Sequence, residues 1–312
     1  IRAIKPKLIH SHTLRTNLIV AIVCFFYNIP CILSFTGLGI LSKNKSSKIL
    51  FKTVIKTIMI FCVYKRKGFL NWVKTYERSR FIFQNDNDLQ LITSIDPQTK
   101  NISKLIYGSG VPIKYFNKKY SKGKWGSDNY IQSFPKIDFI YCARLLISKG
   151  IRTFLDLANI FPEHDFIIFG SFDSSSKDSI NKSEFLNLIN KKNIFFKGHL
   201  KNPLLKNNYK NPVLIVPSYY GEGLPRAILE AFSLKIPVIS SLPSTINLFN
   251  EKQLYIAKDK NIEEYKFVIN KFLNDLKNGN LDKKLKNAFE FSKNFSEEDI
   301  VNKTKKIYGE LL

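Results

Sequence analysis

The chain has 312 residues, 44% of them hydrophobic, and its 49 lysines and arginines outnumber 25 aspartates and glutamates for a formal net charge of +24. That length leaves room for two α/β domains with their own cores, and the apolar fraction excludes a disordered chain. A charge this large implies nucleic acid, an anionic membrane surface, or drift in a Lys/Asn/Ile-rich composition; lysines run from Lys5 to Lys306 without one dominant basic run, which favours drift plus a membrane-facing surface over nucleic acid.

In chain order, Lys7 to His10 reads as a short strand feeding a turn at Ser11-His12-Thr13. Asn17 to Tyr27 is an apolar helix, stopped by Asn28-Ile29-Pro30, and Cys31 to Phe35 is the next strand. Asn28 and Pro30 split the apolar run into pieces too short to span a bilayer, so a buried helix and strand is the better reading. After Thr36-Gly37-Leu38-Gly39 the stretch Lys43 to Lys67 alternates apolar residues with lysines, and Lys48, Lys52 and Lys56 recur every four residues on one helical face. Such a stripe beside a broad apolar face suits an interfacial membrane helix; it equally suits a packed helix with a solvated edge. Phe81 to Asn85 is a strand, and Asp86 to Asp88 opens a short helix. Asn117 to Lys136 is polar and weakly periodic, which reads as a linker and places a domain boundary near Lys118, giving domains of residues 1–117 and 118–312.

The second half alternates more plainly. Asp138–Cys142, Phe166–Phe169 and Ile194–Phe196 are strands, with a helix from Gly150 to Asn159. Leu214 to Pro217 ends another strand, Ser218 to Gly223 is turn chemistry, Ala227 to Leu234 is a helix, and Val238-Ile239-Ser240 restarts a strand. Such alternation implies a doubly wound parallel sheet, with ligands bound outside the carboxyl ends of its strands. Unpaired amides around Gly223 and Leu224 would favour an anionic phosphate. Glu222 and Glu230 can line one crevice, although spacing alone is a weak signal and, taken as a lone pair, they fit a helix cap and a solvated surface residue better. The four cysteines, Cys24, Cys31, Cys62 and Cys142, lie in apolar runs without a CxxC pair and read as buried reduced thiols.

The run from Pro217 to Ile239 resembles the donor-sugar site of family-four retaining glycosyltransferases, which have the two-domain GT-B architecture. Further motifs agree in the same order: His10-Ser11-His12, Thr36-Gly37-Leu38-Gly39, Phe83-Gln84-Asn85, Gly108-Ser109-Gly110-Val111, and Ala143-Arg144-Leu145 with Lys149-Gly150. The resemblance implies two Rossmann-like domains facing a cleft, with the last helix (Asp299 to Leu311) crossing back to the first domain. It implies that Arg144, Lys149, Gly223 and Leu224 hold the donor diphosphate, that Glu230 holds the ribose, and that Glu222 and His12 position the sugar. Gly37 and Gly39 form a glycine turn found in members acting on polyprenyl-linked glycans, and His199 falls where the base is held through main-chain atoms. The family's usual first strand and glycine-rich turn are absent, so a truncated N-terminal domain is expected. Lys235-Ile236 and Pro243-Ser244-Thr245 also depart from the pattern.

On this resemblance the expected activity is transfer of a hexose or N-acetylhexosamine, with UDP as the expected nucleotide, to a lipid-linked saccharide in surface polysaccharide assembly. The expected place is the cytoplasmic face of the cell membrane, with the protein peripheral on an anionic surface. No metal is expected, because no DxD-type carboxylate pair sits at a strand end and Arg144 and Lys149 supply the charge a metal would; no cofactor is expected, and the scattered lysines argue against nucleic acid. Asp86-Asn87-Asp88 has metal-motif spacing but fits a helix start. The alternative is a non-catalytic anion-binding module or an inactive transferase remnant.

Overall fold

The computed structural model describes residues 1, 3–38, 45–67, 71–74, 77–119, 136–205, 209–219, 224–241, 248–259 and 261–312; at 45–48, 64–67, 71–74 and 117–119 the backbone alone is described. The chain divides into two compact units. One comprises Ile1–Gly110, Gly221–Pro225 and Glu297–Leu312, the other Val111–Tyr220 and Arg226–Ser296.

In the first unit, strand β1 (Ile9–His12) leads through helix α1 (Leu14–Tyr27) to β2 (Cys31–Phe35). Helix α2 (Lys45–Val63) follows, then β3 (Tyr64–Lys67), β4 (Asn71–Lys74), β5 (Ser79–Phe83), helix α3 (Asp86–Ile95) and β6 (Ser103–Leu105). The sheet order is β1-β2-β5-β6, with every neighbouring pair parallel. Side chains alternate across it. Leu33, Phe35, Phe81 and Phe83 meet Ala21, Cys24, Ile55, Ile58 and Ile92 from α1, α2 and α3 on one face. Ile32, Ile82 and Ile106 meet Ile300, Ile307 and Tyr308 of the terminal helix Glu297–Gly309 on the other. Central β2 is buried at every position, as a strand covered on both faces must be.

Three local expectations are corrected. His12 ends β1, paired with Ser34, rather than sitting in a turn. Helix α1 starts at Leu14, before the apolar run, because Asn17 is a buried clamp: its amide donates to Ser34 O at 3.0 Å and its Oδ1 accepts from Ser11 Oγ at 2.7 Å. The basic stretch Lys65-Arg66-Lys67 is not helical but pairs antiparallel with Asn71–Val73 in a hairpin.

In the second unit, helix α4 (Ile113–Lys119) precedes β7 (Asp138–Cys142), α5 (Ile151–Ile160), β8 (Asp165–Phe169), α6 (Lys182–Leu188) and β9 (Ile194–Phe196). Then come β10 (Pro212–Val216), α7 (Arg226–Ser233), β11 (Val238–Ser240), β12 (Tyr255–Ile256), and two helices, Ile262–Lys277 and Leu281–Ser292. The sheet order is β12-β11-β10-β7-β8-β9, again parallel throughout. The chain runs outward from β7 to β9, then returns beside β7 as β10 and runs the other way. That reversal between β7 and β10 is a topological switch point, where the strand ends leave a crevice. Among the described residues no helix is long and apolar enough to cross a membrane.

Candidate functional site

At that switch point the second unit has an open pocket of about 280 Å³, lined in part by Cys142, Arg144, Gly170, His199, Arg226 and Glu230. Arg144 follows β7, Gly170 follows β8, His199 follows β9, and Arg226 and Glu230 stand on α7 after β10. Four strand ends thus contribute to one crevice. Three residues singled out from the sequence, Arg144, His199 and Glu230, are brought together here.

Glu230 is 8% exposed. A buried carboxylate needs a partner, and Arg226, one helical turn earlier, supplies it: its Nε donates to Glu230 Oε1 at 2.8 Å. The surface reading of Glu230 is therefore set aside. Arg226 was missed from the sequence, although an arginine four positions before a glutamate on one helix is a recognisable ion-pair spacing. Arg144 donates through Nη1 to Asp173 at 2.7 Å. Hydrogen bonds from Ser175 and then Arg144 hold the Asp173 carboxyl below its usual range. Cys142 is partly buried, not fully as expected, and burial together with the Glu230 charge pushes its thiol up. All four cysteines are free.

Two glycines shape the crevice. A Cβ on Gly170 would lie 2.1 Å from Ala143 O, so only glycine lets the two strand ends close at the pocket floor. Lys149 closes a 3₁₀ turn, Ile147–Lys149, and Gly150 then adopts φ 76° to start α5. A Cβ there would meet Pro217 O at 2.1 Å. Tyr219 N donates to Ser148 O at 2.9 Å, and Ser148 is held by Asp178, so the turn carrying Lys149 is tied to the loop after β10. Lys149 itself is not among the pocket-lining residues.

Glu222, Gly223 and Gly39 lie outside the described residues. Leu224 is buried and clusters with the first unit, where a Cβ on Gly108 would come within 3.3 Å of it. Gly37 has φ 121°, a conformation that favours glycine, and the next amide, Leu38 N, donates to Asp88 Oδ2 at 3.2 Å. Asp88 also accepts from Asn85 Nδ2 at 2.9 Å, while Asn85 Oδ1 caps Asp88 N at 2.7 Å. The carboxylates of the Asp86-Asn87-Asp88 run therefore serve a helix start, Tyr107 donating to Asp86. Among the described residues no group of three or more His, Cys, Asp or Glu side chains is placed to hold a metal ion.

His12 is exposed at the end of β1 in the first unit. His10, two positions back on the same strand face, lies beneath it with ring centroids 4.5 Å apart. Its Nδ1 is 2.7 Å from Tyr308 Oη and its Nε2 2.7 Å from Ser34 Oγ. Burial, then the neighbouring His12, lowers the His10 pKa to about 4, so His10 is a neutral support for His12. Thr13 follows with φ 74° and ψ 148°, a costly conformation for a β-branched residue. Such strain, roughly 1–3 kcal/mol, persists where surroundings enforce it, and here it turns the chain sharply after His12. From the sequence His10 ends a strand and His12 falls in a turn, so the support of one by the other shows only once both stand on β1.

A family model described as glycosyl transferases group 1 matches residues 132–290. An uncharacterised glycosyltransferase of Methanocaldococcus jannaschii is 26% identical over 341 aligned positions, covering 98% of this chain and 80% of the relative. Among solved structures, Anabaena HepE in complex with UDP superposes with a TM-score of 0.74 at 16% identity, covering 99% of this chain and 80% of HepE. Sucrose-phosphate synthase of Thermosynechococcus elongatus gives 0.72 at 16% identity, covering 98% and 73%. These likenesses show the α/β GT-B fold of glycosyltransferases. With half of its length matched by that model, the chain belongs to the group 1 glycosyl transferases.

Proposed function

We propose that the chain moves a hexose or N-acetylhexosamine from a UDP-sugar, with retention, onto a polyprenyl-pyrophosphate-linked saccharide in surface polysaccharide assembly such as O-antigen or capsule. The observation that carries the donor part is the gathering of Arg144, Arg226 and Glu230 in one pocket at the switch point. A nucleoside diphosphate combines an anion with a ribose diol. Fixed guanidinium groups suit the first, developing charge included, and a buried carboxylate suits the second. UDP is favoured because HepE, which shares the fold, was solved with UDP and with UDP-glucose.

In this reading Arg144 and Lys149 stabilise the departing diphosphate, with the Gly223 and Leu224 amides assisting, and Glu230 accepts from the ribose hydroxyls. Glu222 and His12 orient the sugar. The acceptor hydroxyl attacks on the leaving-group side, and a phosphate oxygen helps take its proton. The arginine and lysine charges do the work a metal would do, and no cofactor is invoked. The lipid-linked acceptor places the protein at the cytoplasmic membrane face.

Calorimetric titration with UDP, UDP-sugars and GDP-sugars, repeated on Glu230→Ala and Arg144→Ala, tests the reading. Selective uridine-nucleotide binding weakened by both substitutions is the expected result. A folded protein that binds no nucleotide, or any polyanion alike with strong salt dependence, would instead be an anion-binding module.

A further inference from the structure

Before Glu77 the chain has thirteen lysines and arginines and not one aspartate or glutamate; all 25 acidic residues lie from Glu77 onward. Compositional drift raises the lysine count but does not segregate the signs. The acid-free stretch contains β1, α1, β2 and α2.

Helices α1 and α2 cover the same face of the first sheet, because residues of both pack into one cluster with Leu33, Phe35, Phe81 and Phe83. They touch through Phe26 and Phe61, whose ring centroids are 6.3 Å apart. Their outward surfaces therefore lie side by side. On α1, Arg15, Ile19 and Phe26 recur at helical spacing along that surface, and Phe26 is 66% exposed. On α2, Phe51, Ile55, Ile58, Met59 and Cys62 are buried and suffice to anchor the helix. Ile49, which is 69% exposed, and Ile60 share the opposite face with exposed Lys52 and Lys56. The core thus needs only one side of α2, and the other carries large apolar groups interleaved with cations.

We propose that this outward face of α1 and α2 docks on an anionic phospholipid bilayer. Apolar side chains enter the headgroup boundary while Lys52, Lys56 and Arg15 meet lipid phosphates, and no carboxylate in the acid-free stretch opposes them. A nucleic-acid surface would use the cations but leave Phe26, Ile49 and Ile60 without a role, since phosphate contacts come from polar groups. The proposal deepens the transferase reading, and rests on it for purpose, by giving the place where a lipid-linked acceptor is met.

The test is co-sedimentation of the 312-residue chain with vesicles of phosphatidylglycerol in phosphatidylcholine. Wild type should pellet with these, less with phosphatidylcholine alone, and less as salt rises. Lys52→Gln with Lys56→Gln should weaken binding roughly thirtyfold. Ile19→Ser with Ile49→Ser and Ile60→Ser should also weaken it at an unchanged melting temperature, since these side chains are exposed. Wild type that stays in the supernatant, or variants that pellet like wild type, would overturn the proposal. So would duplex DNA binding that outcompetes vesicles and ignores the apolar substitutions. UDP binding is measured on the same samples: vesicle binding without UDP binding sinks the transferase reading and leaves the docking face. The reverse result sinks the face and leaves the transferase.

Discussion

Arg226 and Glu230 sit one turn apart on α7, and the arginine Nε donates to the glutamate carboxylate at 2.8 Å inside the pocket that also carries Arg144. The pair sets a fixed cation against a nearly buried carboxylate and aims it. If Glu230 receives the ribose hydroxyls, Glu230→Gln should weaken UDP binding by about 10–100-fold, the range for hydrogen bonds to a charged group. The loss should shrink for 2′,3′-dideoxy-UDP, which lacks those hydroxyls. Arg226→Gln should cause a smaller loss of the same selective kind. Equal losses for both nucleotides would remove Glu230 from the ribose.

Arg144 has a resident anion in Asp173, 2.7 Å away, so a diphosphate must compete with that carboxylate. Arg144→Ala should weaken UDP binding by at least tenfold and leave uridine binding nearly unchanged. Asp173→Asn should tighten UDP a few-fold by removing the competitor, though the asparagine can still hold the loop through Ser175. Calorimetry with uridine, UMP and UDP separates these outcomes. Tighter uridine binding in Asp173→Asn would mean that the carboxylate acts on pocket shape rather than on phosphate charge.

The second unit was legible because its strands are short apolar runs closed by turn residues. Asp138–Cys142, Ile194–Phe196 and Val238–Ser240 fall where periodicity put them. Doubly buried parallel strands carry that signal at full strength. What escaped was either too short to show a period, as with Tyr255–Ile256, or overruled by tertiary contact. Tyr64–Lys67 carries on the basic pattern of α2 and became a strand only through Asn71–Lys74. Motif spacing picked out Arg144, His199 and Glu230, which line one pocket, but it passed over Arg226 and gave His10 no role beside His12. Those two act through neighbours, and their partners, a buried carboxylate and Tyr308 at the far end of the chain, are visible only in three dimensions.

Gly150 should be the least replaceable residue near the site. Its φ of 76° strains any side chain, and a Cβ would overlap Pro217 O. Backbone cannot yield as a flexible side chain can. Gly150→Ala should cost roughly 2–5 kcal/mol, combining left-handed strain with overpacking. Gly198→Ala, at φ 67° with open space around the position, should cost only the strain, about 1–2 kcal/mol. Urea unfolding of both variants decides this. Equal losses would mean that the Pro217 contact contributes nothing.

Two ionisable groups in the first unit, half-buried His10 and buried Asp88, oppose each other in acid. The His10 pKa is lowered to about 4 from 6.5, chiefly by burial, so the unfolded chain binds the proton first. Its contribution is fully present above pH 6.5 and is lost as pH falls toward 4. The Asp88 pKa is raised to about 6 from 3.8, again chiefly by burial, with the Asn85 and Leu38 hydrogen bonds resisting. Its contribution is fully present below pH 3.8 and is lost as pH rises through 6. Between pH 4 and 6 the two offset each other, each at no more than about 1.4 kcal/mol per pH unit. His10→Asn should therefore make the protein relatively more stable on acidification than wild type. Asp88→Asn, which keeps an acceptor for Leu38 N, should make it relatively less so. Urea midpoints at pH 4.5 and 7 for the three proteins test the signs. Identical pH slopes would show that neither group changes its protonation equilibrium on folding.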